Sequence, residues 1–211
     1  MADRPTPIRT AEESRQEIIE TAAQCFMEMG YHATRIDDVA ARMDSTKGRV
    51  YHHFDSKMDI YIAVHREGMD RLFEAVEPAM RAKGNGLEVL TAMLLAHAQA
   101  MMEFQALETV VAQGVQLHRF GSSTPEQKAI FDELIASRDR FEELFKQQLA
   151  AAAQDGSLGE LDQSVTVKIL LGALQWSIYW YRPSDRETAA DRAVLAEKMV
   201  WPLVEGLRRR S

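Results

Sequence analysis

The stretch Thr34-Arg35-Ile36-Asp37-Asp38-Val39-Ala40-Ala41-Arg42-Met43-Asp44-Ser45-Thr46-Lys47-Gly48-Arg49-Val50-Tyr51-His52-His53-Phe54-Asp55-Ser56-Lys57 reads as two short helices, a tight turn and the start of a third helix. Thr34 is placed to cap the first helix, and Asp37 three residues on puts a negative charge where the helix dipole favours it. Ile36, Val39, Ala40 and Met43 recur at helical spacing and make one apolar face. Asp44, Ser45 and Thr46 interrupt that face with turn-forming residues. Thr46 suits the cap of a next helix over about 47–53, which is too short to persist in water and must be clamped by packing through Val50 and Phe54. Ser56 caps a third helix, again with an acid, Asp59, three residues on.

A helix pair of this size commonly lays its second helix in the DNA major groove. The polar residues suit that use. Thr46, Lys47, Arg49, Tyr51, His52 and Lys57 offer donors, and Gly48 lets a phosphate or base edge approach the backbone. Arg49 has the fork that reads guanine, worth about 1–3 kcal/mol of discrimination in a good pair. Tyr51, His52 and Lys57 suit phosphates, which set register without reading sequence. Thr34 and Arg35 flank the same unit. The competing reading of these residues alone is a helical hairpin whose polar face is merely solvated.

The run Thr46-Lys47-Gly48-Arg49-Val50-Tyr51-His52-His53-Phe54-Asp55-Ser56-Lys57, behind Ala33-Thr34-Arg35-Ile36-Asp37-Asp38-Val39-Ala40, resembles the TetR family of one-component transcriptional regulators over about the first 60 residues. The resemblance implies an all-α fold: a three-helix DNA-binding domain over 1–56, then a larger effector-binding and dimerisation domain over 57–211. It also implies a homodimeric repressor on a pseudo-palindromic operator, released by a small effector. The family's turn usually carries glycine where Asp44 stands and an apolar residue where Ser45 stands. Aspartate tolerates left-handed geometry better than most residues, so the turn is expected to survive.

With 211 residues, 46% hydrophobic and 27% charged, the chain has an ordinary globular balance, and its helical periodicity runs nearly end to end. The net charge of −7 is unlike that of most DNA binders, and residues 1–60 hold 8 Lys+Arg against 11 Asp+Glu, or −3. Charge placement must do the work, with Arg35, Arg42, Lys47, Arg49 and Lys57 gathered on one side and a steep salt dependence expected. Cys25 falls on the helical face of Ile18, Ala22 and Met29 and reads as buried and inert. The longest apolar run, 165–181, is shorter than a bilayer crossing and is interrupted by Lys168 and Gln175; no membrane segment or signal peptide is read, and a cytoplasmic location is expected.

Along the chain, Arg4 and Arg9 lie in an arm that the minor groove could take. A helix over about 11–29 carries a Thr10–Glu13 capping box and is stopped by Gly30. Helices are then expected over about 57–76, 87–104, 105–119 and 125–154. Two final helices, about 162–181 and 187–208, have the apolar character of a dimer bundle, with Pro202 expected to kink the second near Lys198. In family terms they would form the homodimer.

Polar or aromatic residues on otherwise apolar faces mark an effector cavity: His97, Met101, His118, Arg138, Phe141, Trp176, Tyr179 and Trp180, with Met93 and Met102 as adaptable lining. Trp180-Tyr181-Arg182-Pro183 resembles a segment of TetR regulators of lipid, sterol or aromatic-acid breakdown. The resemblance implies a largely apolar ligand with an anionic or polar group, such as an acyl-CoA or other hydrophobic acid derivative, met by Arg138, Arg119 or Arg182. No phosphate-cradling glycine loop, Cys-His metal spacing or serine elbow is present, so no cofactor, metal or catalytic residue is expected. The reading that competes with a repressor is a helical interaction module with a degenerate DNA reader.

Overall fold

In the computed structural model, residues 10–120 and 124–207 are described, with 115–120 and 126 described for their backbone alone. They are mostly helical with short connecting loops, and among them no strand is found, as expected. The elements are α1 (Ala11–Ala33), α2 (Ile36–Arg42), α3 (Lys47–Tyr51), α4 (Lys57–Val76), α5 (Gly86–Glu103), α6 (Gln105–Phe120), α7 (Pro125–Gln154), α8 (Gln163–Gln175), α9 (Ser177–Trp180) and α10 (Ala189–Leu207), with a single 3-10 turn at Ala79–Arg81. The arm residues Arg4 and Arg9 lie outside the described residues.

Local chemistry sets most of the helix starts. Thr10 and Glu13 form the full reciprocal capping box, Glu13 N–H donating to Thr10 Oγ1 at 3.1 Å and Thr10 N–H to Glu13 Oε2 at 2.8 Å. Ser56, Asn85, Thr124 and Asp162 each accept a backbone N–H three residues on. Gly30 breaks α1 at φ 77°, a conformation only glycine adopts without strain, and one further turn of helix follows it. Asp44 adopts φ 48°, so the α2–α3 turn keeps the left-handed geometry expected of it.

Two start-of-helix expectations need correction. Thr34 does not cap α2. It is fully buried, its hydroxyl donates to the carbonyls of Gly30 at 2.8 Å and Cys25 at 3.2 Å, and it closes α1 instead. Arg35 is the N-cap residue, and its N–H donates to Asp38 Oδ2 at 2.7 Å. Thr46 precedes α3 but its side chain makes no capping bond.

The buried apolar residues form two clusters. The first joins α1, α2 and α3 through Ile18, Phe26, Val39, Val50 and Phe54, and it is closed by Val110 of α6 and Phe131 and Leu134 of α7. The second is built from Leu90, Leu94 and Met101 of α5, Phe141 and Phe145 of α7, Leu170 of α8 and Val200 and Val204 of α10. α4 belongs to both: Ile60, Tyr61 and Val64 enter the first, and Met69, Leu72 and Val76 the second. Tyr61 ties α4 to α6 by donating to Val110 O at 3.1 Å from a fully buried site. α6 (Val110 in the first, Val111 in the second) and α7 (Phe131 in the first, Phe141 in the second) likewise contribute to both clusters.

The expected helix over 162–181 is divided at Trp176 into α8 and α9. α10 remains helical through Pro202. Thr166, Val167, Leu170 and Leu174 form the buried stripe of α8, so Val165, Ile169 and Trp176 fall on the opposite side, 53%, 60% and 62% exposed. On α10, Val194 and Trp201 are likewise outward while Ala196, Val200, Val204 and Leu207 are buried. No helix among the described residues is long and apolar enough to cross a membrane.

Candidate functional site

The turn and α3 present the first candidate surface. Val50 is fully buried and Phe54 nearly so, which anchors a five-residue helix that has no stability of its own. With Val50 inward, Arg35, Thr46, Lys47, Gly48, Tyr51 and His52 are all exposed. Lys47 Nζ lies 2.7 Å from Asp37 Oδ2, an ion pair whose two members are both more than half exposed and remain open to exchange for a phosphate. A Cβ at Gly48 would meet nothing closer than Thr46 Oγ1 at 3.7 Å, so no intramolecular crowding requires glycine on this exposed turn.

Two expected members of that surface are turned away from it. Arg49 packs back onto α1, where its Nε donates to Ser14 Oγ at 2.9 Å and its guanidinium pairs with Glu17. Residue 49 precedes the inward Val50 by one helical step, and that step aims it at α1 rather than outward. Lys57 folds over the end of α1. Its ammonium donates to the carbonyls of Tyr31 (2.7 Å), His32 (3.2 Å) and Thr34 (2.8 Å), sits 4.5 Å from the Tyr31 ring centroid, and has its pKa lowered by burial. A cation serving three C-terminal carbonyls stabilises the helix end. Both residues therefore hold α3 and α4 against α1. Arg42, expected on the same basic side, pairs with Glu28 at 2.5 Å.

The second candidate site is a cavity of about 320 Å³ between α4, α5, α6, α7 and α8. His97, Met101, Arg138 and Phe141, four of the residues expected to line an effector site, meet there beside Met69, Leu72 and Val111. Trp176, Tyr179 and Trp180 do not: they are 62%, 57% and 45% exposed, with Ser177 and Ile178 the buried residues of α9. Tyr179 lies against Trp176 in a tilted ring contact, 4.7 Å between centroids. The His118 and Arg119 side chains lie outside the described residues, and Arg182 donates to the Tyr181 carbonyl at 2.8 Å.

Sequence reasoning missed Glu108. It lines the cavity, is 1% exposed, and its Oε1 has no hydrogen-bond partner. The signal available was a lone carboxylate on the Leu107–Val111 face of α6. Burial pushes its pKa well up, against the pull of Arg138. His97 is 4% exposed with Nδ1 unpartnered, and burial, then the Arg138 charge, pulls its pKa down to about 4, leaving it neutral at pH 7. Arg138 donates to Val111 O at 3.1 Å and makes no ion pair among the described residues. Among those residues no cluster of three or more His, Cys, Asp or Glu has metal-binding geometry.

Comparison with known proteins fits this arrangement. Residues 18–64 match the family described as bacterial regulatory proteins, tetR family, and residues 83–201 match the tetracyclin repressor-like C-terminal domain. The transcriptional regulator SrpR of Pseudomonas putida is 28% identical over 197 residues, 92% of this chain and 86% of that one. The transcriptional repressor KstR2 of Mycolicibacterium smegmatis is 27% identical over 170 residues, 80% of each. The crystal structure of AibR in complex with isovaleryl coenzyme A and operator DNA superposes with a TM-score of 0.68 at 25% identity, covering 89% of this chain and 98% of that one. With more than half of its length inside one domain family and its helix-turn-helix inside the companion family, this chain belongs to the TetR family of bacterial transcriptional regulators.

Proposed function

We propose that the protein is a homodimeric, ligand-released repressor of the cytoplasm. Residues 1–56 read a pseudo-palindromic operator, and 57–211 bind the effector and form the dimer. α3 enters the major groove with Lys47, Gly48 and Tyr51 leading, flanked by Arg35, Thr46 and His52, while Arg49, Lys57 and Thr34 set its pose from behind. Two copies held in phase by the exposed apolar faces of α8 and α10 place half-sites about one helical turn apart, or a multiple of it.

The observation that carries this reading is the dual membership of α4. Met69 and Leu72 line the cavity, while Ile60, Tyr61 and Val64 of the same helix sit in the core that supports α3. An occupant that repositions Met69 moves the base of the reader. The effector is largely apolar with an acid-derived polar group, consistent with the cavity lining and with the isovaleryl-CoA bound by AibR. Coupling of this kind typically amounts to about 1–3 kcal/mol and is reciprocal. The test is a pair of titrations: an effector weakens operator binding by some factor, and saturating operator weakens effector binding by the same factor. A ligand that binds without reciprocity is not the inducer.

A further inference from the structure

The polar groups of the cavity are mismatched in charge, and the mismatch names a ligand class. Arg138 is a partly buried cation with one hydrogen bond, to a carbonyl, and no ion pair among the described residues. Its acidic neighbours do not supply the missing partner. Glu142 is engaged by Lys168 at 2.5 Å, and Asp139 is exposed at the rim. Glu108 is the one fully buried carboxyl among the described lining residues, and burial favours its uncharged form, a donor with Oε1 unsatisfied. His97 is neutral and its Nδ1 is also unsatisfied. Unpaired buried groups of this kind are costly unless something completes them. An anion is the complement: it neutralises Arg138 and accepts from the Glu108 hydroxyl. The rest of the described lining is mostly apolar, with Met69, Leu72, Met101 and Phe141, and also includes Gln175 and Lys168, the latter paired with Glu142.

Size narrows the choice. A cavity of about 320 Å³ lies at the small end of ligand pockets, about 300–1,000 Å³, which suits a compact acid such as octanoate or phenylacetate. A coenzyme A thioester would leave its nucleotide outside, and its thioester carbonyl would bring no negative charge to Arg138.

The geometry points to a receptor for a compact free monocarboxylic acid, its carboxylate seated between Arg138 and Glu108 and its apolar body against Met101 and Phe141. This inference rests on the cavity being the effector site and goes further by naming the free acid over its esters and thioesters.

The test titrates the full-length protein calorimetrically with octanoate, phenylacetate, their methyl esters, octylamine and octanoyl-CoA. At least one of the two acids should bind, and its methyl ester should bind at least about tenfold more weakly, the discrimination one charge-assisted hydrogen bond provides. Arg138→Gln should erase the difference between acid and ester, with a melting curve confirming that the variant is folded; the acid–ester comparison on the wild type needs no variant. The inference is overturned by an ester or octanoyl-CoA binding as tightly as the free acid, by octylamine binding more tightly than octanoate, or by neither acid binding at millimolar concentration. Operator binding without ligand is read separately on the same protein. Intact operator binding with any of those outcomes overturns the acid receptor alone, whereas failure to retain any duplex overturns the regulator reading and leaves the acid titration standing.

Discussion

Arg49 and Tyr51 stand two residues apart in α3 and face different tasks. Arg49 is bonded to Ser14 and Glu17 of α1, while Tyr51 is 51% exposed and free to meet a nucleic acid. Arg49→Ala should therefore lower global stability by about 1.5–3 kcal/mol, the usual net worth of a hydrogen bond to a charged group, and weaken operator binding through a loosened α3. Tyr51→Ala should leave the thermal midpoint within about a degree, as surface substitutions do, yet weaken operator binding at least about tenfold. Paired melting and anisotropy measurements separate the two; equal loss of stability in both variants would contradict the assignment. A second prediction at this scale concerns His65. It is fully buried, neither ring nitrogen has a partner, and burial with the Arg138 charge pulls its pKa down to about 4. The unfolded chain takes that proton near pH 6.5 and the native state only near 4. Stability from this group is thus complete above pH 6.5 and is lost as pH falls toward 4, on the order of 3 kcal/mol. His97 works in the same direction, and Glu108, with its pKa raised, works against both. Denaturant titrations at pH 7 and pH 5 should show the wild type weaker at pH 5 and the His65→Gln variant less so; an unchanged pH slope in the variant would refute it.

Among the elements, α4 and α6 are the pair on which the proposed coupling rests. A Cβ at Gly68 would lie 2.7 Å from Val111 Cγ2 and 3.4 Å from Glu108 Oε1, so the helices touch here at glycine distance. Gly68→Ala should cost about 1–3 kcal/mol of stability by overpacking and should also shift effector affinity, because Glu108 and Val111 both line the cavity. An unaffected effector titration would place the cavity's sensitivity elsewhere. How much of this was legible follows the range of the interactions. Thr10 and Ser56 cap within three residues of themselves, and Asp44 takes the left-handed conformation of the α2–α3 turn, so sequence reasoning found them. The aim of Arg49 and Lys57 depends on where α1 lies, and Glu17 is 32 positions away from Arg49. Trp176, Tyr179 and Trp180 read as cavity aromatics because periodicity gives a face without saying whether own core or solvent meets it. Glu108 was passed over because a carboxylate within an apolar helix looks like a rim residue until its neighbours are placed.

For the whole molecule, the exposed apolar residues of α8 and α10 offer the face that the proposed homodimer would share. Val165, Ile169, Trp176, Val194 and Trp201 are each 44% or more exposed and contribute little to their own core. Ile169→Glu should leave the helical signal intact while shifting the sedimentation of the protein from dimer to monomer, and should abolish high-affinity operator binding because a single reader holds one half-site. The acidic total charge of −7 makes a further demand on the assembly: binding must rely on local charge at α3, so affinity should fall steeply between low and physiological salt. The most direct measurement is a random-duplex selection on the intact wild-type protein at low ionic strength, followed by stoichiometry on the enriched sequence. The account predicts an inverted-repeat duplex bound by two subunits, with binding lost in Tyr51→Ala. A monomeric protein that enriches no duplex would contradict it.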